Sequence, residues 1–133
     1  MVPITPELAA MAKPAYVLLT TFRRTGEPVS TPVWIAQSGD ALLVTTDPQS
    51  GKVKRLRNNP AVELTPCDVR GRVTPGAPTI QASAEVRTDT ETNAAMDAAF
   101  INKYGIQFRA IRGLGKLRRT PPSQTVLRIT DRD

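Results

Sequence analysis

The strongest chemical signal in this sequence is a basic segment without acidic neighbours. Four of the seven residues at positions 51–57 are basic, namely Lys52, Lys54, Arg55 and Arg57. No aspartate or glutamate occurs at positions 48–62. Ammonium and guanidinium groups bind phosphate and carboxylate through charge-assisted hydrogen bonds. The segment therefore indicates an anion-binding site, and phosphate is its natural ligand.

The same segment is predicted to form a two-turn helix. Val53 and Leu56 are three residues apart, Ser50 precedes them as a hydroxyl cap, and Pro60 follows. Basic side chains at a helix start face the positive end of the helix dipole, which costs a few tenths to about 1 kcal/mol per charge. A bound anion would reverse that sign, because the free amides, the Ser50 hydroxyl and the cations would all point at it.

The four basic residues fall on two neighbouring faces of the predicted helix. Lys52 and Arg55 are expected to contact the anion, next to the flexible Gly51 at the helix start. Lys54 and Arg57, one turn apart on the other face, are equally compatible with solvated surface.

The composition excludes several kinds of site. The chain contains no histidine and one cysteine, Cys67. It can therefore form no histidine-dependent nucleophilic system, no histidine metal site and no internal disulfide. No apolar run approaches the roughly 18 residues that span a membrane, and the first twenty residues lack a signal-segment pattern. These features predict a cytoplasmic protein without a metal site.

Length and charge limit the remaining functions. The 133 residues, 40% apolar and 23% charged, predict one domain over residues 1–133. Eighteen basic against twelve acidic residues give a net charge of +6, so we expect an anionic partner such as nucleic acid, acidic lipid or a phosphorylated cofactor. A chain of this size leaves little room for an enclosed cavity, which favours a site shared between subunits.

Strand patterns dominate the chain. Six strands are predicted, at residues 16–22, 29–36, 41–46, 61–66, 79–87 and 125–130. The first three are expected to form an antiparallel meander. The longest helix is predicted over residues 88–104, with Thr88 and Glu91 at capping-box spacing and Gly105 at its end, and a weaker basic helix over residues 106–119. The predicted fold is mainly β, a small six-stranded antiparallel barrel with external helices.

Four segments of the sequence resemble a known family. They are YVLLTTF at 16–22, GEPVSTPVW at 26–34, LVTT at 43–46 and SGKVKRLRNNP at 50–60. In this order they resemble the pyridoxamine 5'-phosphate oxidase-like split β-barrel proteins, and particularly the flavin/deazaflavin oxidoreductase branch with small actinobacterial-type members that depend on coenzyme F420. The resemblance covers residues 15–72 clearly and the later strands more loosely.

The resemblance implies an FMN-binding type of split barrel and a homodimer with two cofactor sites at the interface. The implied ring contacts are Thr31, Pro32, Val33 and Trp34; the ribityl contacts are Thr45 and Thr46; the phosphate contacts are Ser50, Gly51, Lys52 and Arg55. Trp34 is equally compatible with a ring-stacking wall and with simple core packing. Hydride transfer belongs to the cofactor itself, so no catalytic side chain is assigned.

The family resemblance leaves the cofactor open between F420 and FMN. F420 carries a phospholactyl-oligoglutamate tail, and the additional charges of Lys54, Arg57, Arg70 and Arg72, with the basic stretch after Arg109, are expected to serve it, which favours F420. The expected function is an F420-dependent oxidoreductase that transfers a hydride to or from a small unsaturated or conjugated substrate. The alternatives are an FMN-binding oxidoreductase of the same fold, or a non-catalytic flavin or deazaflavin carrier. A nucleic-acid-binding module is less favoured, because no aromatic residue is interleaved in the basic helix.

Overall fold

The computed structural model describes residues 4–105 and 125–132. The predicted helix over residues 106–119 lies outside these ranges. Seven strands occur in the described part: β1 Tyr16–Phe22, β2 Pro28–Val33, β3 Ala36–Ser38, β4 Ala41–Thr46, β5 Ala61–Cys67, β6 Ile80–Arg87 and β7 Thr125–Asp131. The helices are α1 Pro6–Ala9, which continues into a 3-10 turn over Ala10–Ala12, then α2 Gly51–Asn58 and α3 Thr90–Tyr104.

All seven strands form one antiparallel sheet in the order β2-β1-β5-β6-β7-β4-β3. The two edge strands are consecutive in the chain, and only Trp34 and Ile35 separate them. Since three Cα steps span at most about 11 Å, the two edges must approach each other and the sheet must curl. The mainly β, antiparallel prediction with external helices is confirmed, and the sheet remains open between β2 and β3.

The predicted second strand, residues 29–36, is wrong as one continuous element. Its first part pairs with β1 and its last part pairs with β4, at opposite edges of the sheet. Two hairpins at opposite edges of the sheet therefore replace the predicted three-stranded meander, and seven strands in the described ranges replace the predicted six.

The hydrophobic core lies on both faces of β4 and β7. Leu42 and Val44 pack in one buried cluster with Leu127 of β7, whereas Leu43 packs in a second cluster beneath Phe100 of α3. Successive side chains of a strand point to opposite faces, so a strand buried on both faces has a continuous apolar run. Helix α3 thereby covers the outside of the sheet at β3, β4 and β7.

The N-cap of helix α3 lies one residue later in the chain than predicted. The N-cap is Asp89, whose carboxylate accepts a hydrogen bond from the backbone N–H of Thr92 at 2.9 Å, so the predicted Thr88 cap is wrong. Both residue types are good caps, and the carboxylate adds a charge that suits the helix start. The helix ends at Gly105 as predicted, with a positive φ of 59° that glycine adopts without strain. No helix in the described ranges is long and apolar enough to cross a membrane.

Candidate functional site

Helix α2 holds two of its basic side chains, Lys52 and Arg55, beside β1 and β2. Val53 and Leu56 are buried and anchor the helix, which contacts β1 and β6. The predicted helix is confirmed, and its start follows Ser50, which has the extended backbone of an N-cap. The Ser50 hydroxyl does not cap the helix, because it shares a hydrogen bond of 3.1 Å with the Thr46 hydroxyl of β4.

Lys52 extends from α2 toward β2. Its Nζ donates a hydrogen bond to Thr31 Oγ1 at 3.3 Å. Partial burial lowers the pKa of the Lys52 ammonium, and the positive charge of Arg55 lowers this pKa further. Both causes disfavour the cationic form, so a negative charge at this point would be stabilised.

Arg55 lies back over the start of its own helix. Its Nε donates to Thr21 Oγ1 of β1 at 2.6 Å. A Cβ atom added to Gly51 would lie 2.6 Å from Arg55 Nη1, which is closer than atoms pack. Burial lowers the pKa of the Arg55 guanidinium, and the charge of Arg23 adds to this effect.

These groups form a cation site without a counter-ion among the described residues. We call the group of Thr21, Thr31, Ser50, Lys52 and Arg55 the α2 cation site, after the two protein cations that it contains and that could bind an anion. In the described part of the chain, ion pairs to carboxylates involve only Arg23 and Arg87, neither of which belongs to this site. Two adjacent cations, with the Thr31 and Ser50 hydroxyls beside them, form the donor set of a phosphate site, so the residues present fit a cofactor phosphate.

The structure brings some of the predicted site residues together and leaves others apart. The α2 cation site includes four of them, Thr31, Ser50, Lys52 and Arg55, and Thr46 joins through its bond to Ser50. Lys54 and Arg57 are exposed, and within the described ranges their side chains make no hydrogen bond with these groups. Thr45 is half-buried and pairs with β7, next to Thr46. Pro32 is exposed on β2, and Val33 packs against the core.

Trp34 lies in the break between β2 and β3 and belongs to an aromatic cluster. Its ring stacks on Tyr104 with centroids 4.4 Å apart and planes at 11°. Tyr16 contacts it edge-on at 6.4 Å. The adjacent Ile35 backbone is held from α3, because its N–H donates to the Tyr104 hydroxyl at 3.0 Å and its C=O accepts from Lys103 Nζ at 2.5 Å. Tyr104 therefore covers one face of the indole, and α3 fixes the end of the predicted ring-binding strand.

Thr21, Lys103 and Tyr104 are the contacts that the sequence predictions missed. Thr21 follows Val17 and Leu19 at a spacing of two on β1, and all three are fully buried. A threonine on the buried face of a strand requires a hydrogen-bond partner, and this pattern could have identified it. Lys103 and Tyr104 had no such signal, because their partners lie 68 and 69 residues away along the chain.

A separate cleft of about 220 Å³ lies near the start of α3. Leu43, Arg87, Asp89 and Arg128 are among its lining residues, and none of the predicted cofactor residues lines it. Arg87 is paired with Glu85 at 2.7 Å and with Asp89 at 2.8 Å. Arg87 is thus already neutralised, in contrast to the two cations on α2.

Comparison with known proteins identifies the family. The chain belongs to the pyridoxamine 5'-phosphate oxidase family, which matches residues 4–131. No curated protein matches the sequence.

Solved structures share the fold at low sequence identity. Atu2129 from Agrobacterium tumefaciens, of unknown function, has a TM-score of 0.67 and 14% identity over 95% of this chain and 52% of that protein. The heme storage protein HutZ from Vibrio cholerae has a TM-score of 0.67 and 17% identity over 99% of this chain and 92% of HutZ. A protein described as an F420 reductase has a TM-score of 0.58 and 20% identity over 99% of this chain and 97% of that chain. The chain therefore spans about half of Atu2129 and nearly all of the other two.

Proposed function

We propose that this protein binds a phosphate-bearing flavin or 5-deazaflavin. Coenzyme F420 is the preferred candidate, and FMN is the alternative. We further propose that it is an oxidoreductase that exchanges a hydride with a small unsaturated or conjugated substrate. The cofactor sites would lie at the interface of a homodimer, each anchored through its phosphate at the α2 cation site. A non-catalytic carrier of the same cofactor is the second candidate, since no side chain is assigned a chemical step.

The observation that carries the proposal is the pair of unneutralised cations on α2. Lys52 and Arg55 each hydrogen-bond a threonine hydroxyl, and no carboxylate in the described ranges pairs with either. Water-exposed lysines commonly lack a partner, but a pair of cations whose pKa values are lowered, first of all by partial burial, is energetically unfavourable without an anion. Family membership and the fold shared with an F420 reductase give independent support.

The roles of the protein residues are binding and orientation. Lys52 and Arg55 would hold the phosphate, with Thr31 and Ser50 beside them as hydroxyl donors. The segment from Thr31 to Trp34 would place backbone groups along the ring, and the contacts from α3 would keep that segment rigid. When bound, the flavin or deazaflavin itself accepts or donates the hydride.

The preference for F420 rests on charge beyond the phosphate site. Lys54 and Arg57 on α2, and Arg70 and Arg72 after β5, are all exposed. Exposed cations attract a polyanionic tail at long range, which FMN lacks. Binding of F420 should therefore depend more steeply on ionic strength than binding of FMN.

The first experiment is a titration of the purified protein with oxidised F420 and with FMN at two salt concentrations, followed by cofactor fluorescence. Micromolar or tighter F420 binding with weaker FMN binding would support the proposal. Preference for FMN would select the alternative, and failure to bind either would refute a flavin function. Reduced F420 mixed with conjugated substrates then separates the enzyme from the carrier, because only the enzyme shows substrate-dependent oxidation.

The residue-level test is Lys52→Ala. A charge-assisted phosphate contact contributes roughly 1.5 to 3 kcal/mol, so cofactor affinity should fall about 10- to 150-fold. Lys13→Ala is the matched control, because Lys13 is an exposed lysine outside α2 and should bind as the parent does. Equal affinity of the parent and Lys52→Ala would show that the phosphate lies elsewhere.

A further inference from the structure

We infer that Thr21 and Gly51 are positioning residues that hold the Arg55 guanidinium across the first turn of α2 as a preformed phosphate receptor. This inference rests on the proposed function and deepens it. It assigns a role to two residues that need not touch the ligand.

The geometry begins with the helix itself. Arg55 lies four residues after Gly51, so the two residues stack one turn apart on the same face. Long helical side chains point back toward the N-terminus, which directs the Arg55 side chain over Gly51. The Arg55 Nη1 atom occupies the space that a Cβ on residue 51 would need, with a separation of 2.6 Å.

The reason for a glycine at position 51 is the space that the Arg55 guanidinium occupies, and not a backbone conformation that only glycine adopts. Its φ lies outside the positive range in which glycine is specially favoured, so alanine would fit the backbone at this position. The nearest atoms to its added Cβ all belong to the Arg55 guanidinium. Alanine at position 51 would therefore displace the guanidinium and leave the helix intact.

Thr21 fixes the other end of the same group. It is fully buried on β1, and its Oγ1 accepts the hydrogen bond from Arg55 Nε at 2.6 Å. In the described part of the chain the two Nη groups make no further hydrogen bond. They are the donors that a guanidinium presents in parallel to two oxygens of a phosphate.

The electrostatics show why such fixation matters. A cation at a helix start is destabilising, so without restraint Arg55 would favour a position farther from the helix axis. The buried hydroxyl of Thr21 and the missing side chain of Gly51 oppose this tendency. The ordering of the guanidinium is completed when the chain folds, and a phosphate then binds without that entropic cost.

The first test examines the protein without ligand, by NMR of the arginine Nε–H groups. The parent should show a slowly exchanging Nε–H resonance that Arg55→Lys removes and thereby assigns, beside that of Arg87, whose Nε donates to Asp89. Gly51→Ala and Thr21→Val should lose this protection, and Thr21→Ser should retain it because the hydroxyl remains. Rapid exchange in the parent of the Nε–H resonance that Arg55→Lys removes would overturn the inference whatever the protein binds.

The second test measures affinity for F420 and FMN beside thermal stability. Gly51→Ala should weaken binding about 5- to 30-fold while its melting temperature stays equal or rises, because alanine favours helix more than glycine does. Thr21→Val should weaken binding similarly, with recovery in Thr21→Ser. A purely structural role for Gly51 predicts a lower melting temperature instead, and would contradict the inference.

The pattern of results distinguishes this inference from the proposed function. If Lys52→Ala weakens binding while Gly51→Ala and Thr21→Val bind like the parent, the positioning role is wrong and the phosphate site stands. If the parent binds neither F420 nor FMN, the receptor role and the proposed function both fail.

Discussion

Removal of one oxygen atom from Tyr104 should destabilise the junction between β2 and β3. The Tyr104 hydroxyl accepts from the Ile35 N–H at 3.0 Å, and it donates to Ala15 O at 2.8 Å or to Ile35 O at 3.1 Å. Ile35 is fully buried, so water cannot replace the lost acceptor. Tyr104→Phe keeps the ring and its stacking on Trp34, and it therefore isolates the hydrogen bonds.

The size of the effect follows from which groups lose their partner. The Ile35 N–H becomes a buried donor without an acceptor, which costs about 1 to 3 kcal/mol. The bond to Ala15 O adds about 0.5 to 1.5 kcal/mol at most, because this carbonyl lies where water can reach it. The Ile35 carbonyl keeps its bond from Lys103 Nζ at 2.5 Å. We therefore expect the free energy of unfolding to fall by about 1.5 to 4.5 kcal/mol.

Urea unfolding of the parent, Tyr104→Phe and Tyr16→Phe provides the assay. Tyr16 belongs to the same aromatic cluster, and its hydroxyl makes no hydrogen bond in the described ranges. Tyr16→Phe should therefore change the free energy of unfolding by less than about 0.5 kcal/mol. A Tyr104→Phe variant within about 0.5 kcal/mol of the parent, at an unchanged slope with urea, would refute the reasoning.

Two further predictions concern pH. Burial lowers the pKa of Lys103 from 10.5 to about 8, so the unfolded chain binds the additional proton and stability should rise between about pH 8 and pH 10.5. Urea unfolding across this window should show the rise in the parent and not in Lys103→Met. An equal dependence of the free energy of unfolding on pH in the two proteins would contradict the prediction. At the acid end, hydrogen bonds from Thr92 and Arg87 hold the pKa of Asp89 below its usual 3.8. The contribution of Asp89 to stability is therefore present above about pH 4 and is lost as the pH falls further. Melting temperatures between pH 2 and 6 should fall less steeply for Asp89→Asn, and parallel curves would exclude this origin.

Local sequence patterns predicted most strands and helices because the signals for each are short-range. Strands β1 and β4 are runs of β-branched and apolar residues that end at turns, and Gly105 ends α3. The break at Trp34 and Ile35 gave no such signal. It is held by Lys103 and Tyr104 from a helix far along the chain, so residues 29–36 looked like one strand.

Helix caps show a limit of another kind. Thr88 and Asp89 are adjacent, and each type caps helices well. The choice depends on what else each side chain can bind. Asp89 also accepts from Arg87 Nε at 2.8 Å, so the carboxylate satisfies a guanidinium and a helix start together. A capping rule that considers one helix in isolation cannot include that second bond.

Contacts outside the helix also determine which basic residues of α2 form the site. With about 100° of rotation per residue, Lys52 and Arg55 flank one side of the buried pair Val53 and Leu56, while the next two cations, Lys54 and Arg57, flank the other side at an equal angle. The helix alone is therefore symmetric with respect to its cations.

The sheet removes this symmetry. Thr21 and Thr31, on adjacent strands β1 and β2, present hydroxyls to the first flank, where both cations find a partner. The second flank is exposed. A polar residue on the buried face of β1 is thus the sequence feature that selects the flank, because its hydroxyl requires a donor and α2 is the element packed against it. Substitution of Thr21 should accordingly affect Arg55 and leave Lys54 and Arg57 unchanged.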